Sequence, residues 1–438
     1  MNGRMVHVRS LSPDDEAAWT ALAARAAEPN PLYEPNCLVP AARHQTFGDE
    51  IHVVFAEEDG RIYGCMPVRR VRHWRNFAYP FVVTQVRRMI YCGTPLVDAE
   101  RGDEAVDAMF DALRADRKLT KGRVLVLQEL AQDGPVDASV QSAVERRHLP
   151  IYRYESWERG IVNRREEADY EGLQSRRDRK ELRRCRRRLG ELLGSEPVAV
   201  DRSADPAAID EFIALEAAGY KGDAHVAMAT VAGEADYFRE MCARFAADGR
   251  LRVFCLEAGG QTLAMQILVT GGAGIFGMKI SYDEQFAKYA PGVLLHFDSM
   301  KACHETTDAR WIDTCSSPQF EVLMRIYPDR RRITSYFVPL GRNPIDRLAV
   351  KAFMALRPLH KKLHDKRAGT RHPDPAKGAD PAKVPDATPR SEVVTVEPEP
   401  SVAPTLVLVG HQAPTIPSAP SESTSPESSS SDLVTATG

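Results

Sequence analysis

The chain has 438 residues, 43% of them hydrophobic and 27% charged, with a formal net charge of −3. That length allows about two or three domains of ordinary size and excludes a small scaffold held together by staples. No apolar run approaches the roughly 20 residues that cross a bilayer, and the eight cysteines (Cys37, Cys65, Cys92, Cys185, Cys242, Cys255, Cys303 and Cys315) include no CxxC pair, so neither a membrane span, a zinc site nor a disulfide framework is signalled.

Residues 1–10 alternate polar and apolar side chains and do not read as a leader, which predicts a cytoplasmic address with reduced, buried thiols. Helical periodicity over 13–27 and 39–47 leads into a strand over 51–56. The Asp59–Gly60 pair then turns the chain into a second strand over 61–71, because Asp-Gly between alternating apolar runs favours a tight hairpin. A further strand and a small-Pro-small element, Gly93-Thr94-Pro95-Leu96, are read as opening a helix, followed by a short strand over 124–128 and another helix and strand.

Residues 175–189 are the most unusual stretch, with nine basic residues against two acids between Arg176 and Arg188. Leu182, Cys185, Leu189 and Leu192 recur at helical spacing, so one stripe packs while the guanidinium face stays wet. That face is either a solvated connecting helix or an anion-binding wall, since arginine forks match phosphates and carboxylates.

The first plan then recurs. Helices over 206–218 and 235–247 precede strands over 251–257 and 261–270 joined at Gly259–Gly260, with a further strand over 274–281. Tyr289-Ala290-Pro291-Gly292 opens the next helix, and a strand over 311–314 follows. Val53 and Val253 are offset by 200 positions, and Pro95 and Pro291 by 196. Two landmarks at nearly constant offset predict a duplicated domain. A strand that runs through a Pro-Gly loop into a helix also presents free backbone N–H groups at the positive helix end, a geometry that binds phosphate, although Pro at the first helical position equally just starts a helix.

Beyond this, Ile345, Leu348, Ala352, Leu356, Leu359 and Leu363 recur at helical spacing among basic residues. The resulting helix either packs back onto the fold or lies peripherally on an anionic inner-membrane surface. Residues 371–438 hold twelve prolines, no aromatic residue and a net charge of −5, which leaves the first 370 residues at +2. Neither part is basic enough to draw nucleic acid by bulk charge, and 368–438 reads as a disordered tail. The expected division is 1–168, a basic connecting helix over 169–195, 196–342, a basic amphipathic helix over 343–367, and the tail.

The segments Leu215–Gly222, Lys279–Ala287, Ala290–Leu295 and Trp311–Asp313, with the basic 175–189 helix and the Asn30–Pro35 segment, resemble the GNAT-superfamily acetyltransferases of cellulose and exopolysaccharide biosynthesis. These are relatives of the Fem-type peptidyltransferases. The resemblance covers about residues 5–340. It implies an α/β fold of two tandem GNAT-like domains, each a mixed, mostly antiparallel sheet flanked by helices. It also implies an N-acyltransferase using acetyl-CoA or another acyl-CoA, with no metal and with an amine acceptor on a sugar or small metabolite. The cofactor would lie along Lys279 and Ile280 and in the turn of Tyr289, Ala290, Pro291, Gly292 and Val293. The usual glycine-rich GNAT loop is absent, and only Pro291–Gly292 stands in its place.

Acyl transfer to an amine needs a base for the attacking ammonium and an acid for the leaving thiolate. By position, Glu216 or Asp313 is the candidate base and Tyr327 the candidate acid, each with a structural alternative as ion pair, helix cap or core residue. Tyr220, Lys221, Tyr282, Asp283, Arg183 and Arg184 are candidates for substrate contact. His296 and His304 read as surface residues. Two rival readings are an aminoacyl-tRNA-dependent Fem-like transferase, the one case that brings in nucleic acid, and a non-catalytic scaffold for polysaccharide export.

Overall fold

A computed structural model describes residues 1–369 except 46–47, 75–76, 85–91, 117–123, 220–226, 318–319 and 342. The tail expected over 368–438 lies outside the described residues from 370 onward, as do Tyr220 and Lys221.

The first lobe begins with β1 (Asn2–His7), α1 (Pro13–Ala24) and α2 (Pro35–His44), then the hairpin β2 (His52–Glu58) and β3 (Arg61–Val71). Ser12 and Asp15 form a reciprocal capping box at the start of α1, and Pro13 sits at its first position, so the boundary is set locally. β4 (Phe81–Val83), β5 (Leu96–Val97), α3 (Gly102–Ala115), β6 (Val124–Ala131), α4 (Pro135–Arg146) and β7 (Tyr152–Asn163) complete it.

The connecting helix α5 (Arg176–Leu193) buries Leu182, Cys185 and Leu189 of the expected stripe, leaves its fourth member Leu192 exposed, and ends at Gly194 in the left-handed region. The second lobe contains β8 (Val198–Asp201), α6 (Ala207–Ala218), α7 (Glu234–Ala247), β9 (Leu251–Ala258), β10 (Gln261–Gly271) and β11 (Gly274–Tyr282). α8 (Pro291–Thr306), β12 (Trp311–Asp313), α9 (Glu321–Ile326) and β13 (Asp329–Pro339) follow, and then α10 (Pro344–Gly369).

The two hairpins recur at the predicted offset, but the two sheets join. Strand order is β1-β2-β3-β4-β6-β13-β7-β12-β11-β10-β9-β8, with β5 against β3. β13, from the end of the second lobe, lies between β6 and β7, and β7 pairs with β12 of the second lobe. Each lobe thus lends its last strand to the other, so the expected division between 168 and 196 is a boundary in sequence and not a cut through space.

The lobes also share a core, in which Trp19, Tyr33 and Leu38 are continuous with Tyr237, Phe245 and Phe276. Around it, Arg250 grips the nearly buried Glu34 carboxylate with two bonds of 2.6 and 2.8 Å, and Cys37 Sγ lies 3.1 Å from the Tyr237 hydroxyl. A bidentate guanidinium pair of this kind fixes geometry as well as adding energy.

Two expectations need correction. Pro95 does not open a helix: Leu96 and Val97 pair with β3, and α3 starts at Gly102. And α10 seats Ala349, Val350 and Phe353, the last two against Trp74, Phe81, Tyr154 and Phe337, and leaves the predicted stripe residues Ile345, Leu348 and Leu356 exposed. Its apolar residues occupy two faces, and aromatic partners on β4, β7 and β13 select the one with Phe353. All eight cysteines are free and buried. Among the described residues, no helix is long and apolar enough to cross a membrane, and no cluster of ligating side chains could hold a metal ion.

Candidate active site

β11 and β12 run parallel for three residue pairs, Gly274–Trp311, Ile275–Ile312 and Phe276–Asp313. Among the described residues, β11 then continues to Tyr282 with a strand partner on β10 alone. The register with β10 slips between Ile267 and Leu268, opposite Met278. An inserted residue bends a strand and increases its local twist, so β11 is carried away from β12 and one backbone edge opens.

That edge leads to the start of α8. Asp283 caps the short 3-10 turn Glu284–Tyr289 by accepting from the Gln285 amide, and Ala290 reverses the chain with φ 50°. No side chain caps α8, and Pro291 brings no N–H. The Val293 and Leu294 amides both donate to the Ala290 carbonyl, so the cradle expected from Tyr289 to Val293 is narrower than the sequence suggested. The Gly292 amide has no partner among the described residues. A side chain placed on Gly292 would begin 3.5 Å from the Tyr282 ring and 3.6 Å from Ile280, ordinary contacts that leave space above. An acyl-CoA fits here on two counts: an open backbone edge for an amide-bearing arm, and an open N–H at a positive helix end for a diphosphate.

The first lobe closes the corresponding gap. Beyond Val83, the edge of β6 is occupied by residues 93–94, with the Gly93 amide donating to the Glu129 carbonyl and the Ala131 amide to Thr94 Oγ1. A Cβ on Gly93 would stand 1.8 Å from the Gln128 carbonyl oxygen, so only glycine allows this approach. α3 has Asp103 and Glu104 in its first turn, which disfavours an anion there.

The expected site residues fall into separate groups. Glu216, on α6, is 2% exposed. One of its oxygens accepts from Lys279 Nζ at 2.8 Å and the other from the Met228 amide at 3.0 Å. Lys279, one quarter exposed, stands on the part of β11 beyond its pairing with β12, so this pair adjoins that open edge.

Asp313 is fully buried at the junction of the lobes. Its Oδ2 accepts from Arg331 Nη1 at 2.9 Å, and its Oδ1 accepts from the Cys315 amide at 2.8 Å and lies 3.4 Å from Arg159 Nη1. Arg159 has no exposed side-chain surface and was not anticipated. A charged residue inside a strand gives no sequence signal until its counter-charge arrives from another strand.

Tyr327 is 1% exposed, with its hydroxyl 2.9 Å from His296 Nδ1 in the core under α8. Burial pushes its pKa up. Among the described residues it shares no hydrogen bond with Glu216. His296 is likewise buried and not on the surface as expected, because it also bonds Gln266 within the core, while His304 bonds the Tyr170 hydroxyl. Arg183 and Arg184 are exposed on α5, Arg184 paired with Glu181.

Burial pushes the His296 pKa from 6.5 down to about 4. The unfolded chain takes up this proton first, so the stability His296 allows is complete above pH 6.5 and is lost as pH falls toward 4, by about 3 kcal/mol in all. Urea midpoints measured across that window should therefore fall more steeply for the wild type than for His296→Gln.

Residues 176–318 match the family model described as an acetyltransferase (GNAT) domain. Among solved structures, FemX aligns over 79% of this chain and 99% of its own, with 11% identity and a TM-score of 0.54. The C-terminal domain of a lysylphosphatidylglycerol synthetase from Agrobacterium fabrum aligns over 78% and 96%, with 14% identity and a TM-score of 0.47. A tandem GNAT protein of the clavulanic acid pathway aligns over 78% and 99%, with 13% identity and a TM-score of 0.42. No curated protein sequence matches the chain. Residues 176–318 are thus similar to a GNAT acetyltransferase domain, set in a chain whose fold resembles that of FemX.

Proposed function

We propose that the protein moves an acetyl or other acyl group from CoA to the amine of an acceptor, and that the acceptor is an amino sugar or related metabolite of cell-surface polysaccharide synthesis. The observation that carries the donor side is the open β11 edge leading to the uncommitted Gly292 amide. The motif resemblance supports the acceptor class. β11 aligns the thioester arm by backbone pairing, and the helix end at Gly292 holds the diphosphate. Glu216 takes the proton from the attacking ammonium, with Lys279 turning outward from the carboxylate as it does so. The new C–N bond then forms as the C–S bond breaks, and the departing sulfur takes the second proton from the nitrogen, so that CoA leaves as the free thiol.

Calorimetric titration with acetyl-CoA tests this reading. The wild type should bind, and Gly292→Trp, whose ring fills the space above Ile280 and Tyr282, should weaken binding by about tenfold or more. Absence of binding by the wild type, or equal binding by a folded Gly292→Trp variant, overturns it.

A further inference from the structure

Beside the Gly292 turn lies an open groove of about 530 Å³, formed by α5 on one side and Lys288 and Tyr289 on the other. Its α5 wall is Arg184, Cys185, Arg188, Glu191 and Leu192. We propose that this groove receives the 3′-phosphorylated adenosine end of CoA, with Arg188, Arg184 and Lys288 around the phosphate and Tyr289 and Leu192 against the base. The inference rests on the reading of the second lobe as an acyl-CoA site.

Position is the first support. Tyr289 is three residues from Gly292, so a diphosphate held at that amide leaves its nucleotide end at the mouth of the groove. The volume also lies within the range of small-molecule sites, about 300–1,000 Å³.

Charge is the second. Glu181 is paired with Arg184, and Glu191 with Arg187, whereas Arg188 and Lys288 have no carboxylate partner among the described residues. Lys288 stands 5.0 Å from the centre of the Tyr289 ring, so an aromatic face and a cation are presented together. Glu191 also lines the groove, but its carboxylate is held by Arg187, so Arg184, Arg188 and Lys288 leave the surface net cationic, and a phosphate ester meets that charge through bidentate guanidinium bonds.

Rigidity is the third. Arg186 ties α5 to α8 through a 2.7 Å bond to Asp298, and Leu182 and Leu189 share a core with Phe286 of the turn. The cationic wall is thus fixed relative to the Gly292 amide. Arg183, the other expected contact, does not line the groove, and Arg188 takes its place.

The test compares binding of acetyl-CoA and acetyl-3′-dephospho-CoA to the full chain by calorimetry. The wild type should prefer acetyl-CoA by about tenfold or more. The double variant Arg188→Ala, Lys288→Ala should bind both donors alike, with its affinity for the dephospho form unchanged and its melting temperature near that of the wild type. The double variant Arg179→Ala, Lys180→Ala, an equal charge loss on α5 at residues that do not line the groove, should keep the preference. Equal affinity of the wild type for the two donors overturns the groove assignment while leaving the acyl-CoA reading intact. Equal loss of both donors in a folded double variant also overturns it, as does RNA binding that falls in that variant while the donor preference survives. If neither donor binds the wild type, the acyl-CoA reading falls and the groove assignment with it.

Discussion

Replacing Glu216 with Gln is expected to lower kcat for acyl transfer by about 10²- to 10³-fold, with the acetyl-CoA dissociation constant unchanged. Glu216 is buried, and its two oxygens are held by Lys279 and the Met228 amide. Gln keeps the shape and can still accept from Met228, so the substitution removes the proton acceptor with little change in packing. Lys279 is one quarter exposed and stands on β11, so it can swing away from the carboxylate as an ammonium substrate arrives. Thiol release with a panel of amino sugars gives the rate, and thermal melting shows whether the variant is folded. A folded Glu216→Gln protein with wild-type kcat removes Glu216 from the chemistry. A proportional fall in acetyl-CoA affinity assigns the pair to holding the strand and not to proton transfer.

The duplicated hairpins and the Pro291 helix start were legible because their causes are local. Asp59–Gly60 and Gly259–Gly260 permit positive φ, alternation sets the strands, and Pro291 fits only the first turn. The exchange of β7 and β13 between lobes was not legible, because strand order depends on pairing partners far apart in sequence. The helix wrongly placed at Pro95 has the same origin. Gly93-Thr94-Pro95-Leu96 resembles Tyr289-Ala290-Pro291-Gly292 in composition, yet Leu96 and Val97 find an open edge on β3 and become a strand.

Within the site, Glu216 could be found from its motif and Lys279 from its strand. The groove arginines could be found only as a class, since helical periodicity identifies which side of α5 is buried but not what faces each flank. Arg159 and His296 give no sequence signal at all. Their roles come from Asp313, Tyr327 and Gln266, which reach them from other elements.

Removing the Asp313 carboxylate, as in Asp313→Ala, is expected to destabilise the protein by about 3–5 kcal/mol, because it leaves two guanidiniums without a shared counter-charge. Arg159 on β7 and Arg331 on β13 are directly opposite in register, a pairing that repels unless an anion lies near both. Asp313, from the adjacent β12, is that anion, and Trp157 and Trp311 present ring faces 5.2 and 4.2 Å from the two guanidiniums. Arg159 is fully buried, and its Nε and Nη2 atoms have no partner among the described residues, so it cannot recover solvation without opening the sheet. The loss should fall on both lobes at once, since β7 and β13 belong to each, and denaturant unfolding should remain a single transition at a lower midpoint. A double variant with Asp313→Leu and Arg159→Met should regain most of the loss, because replacing a buried pair with apolar residues of similar volume is often close to neutral. If Asp313→Ala instead unfolds at the wild-type midpoint, water reaches the junction and the ionic cluster does not hold the lobes together.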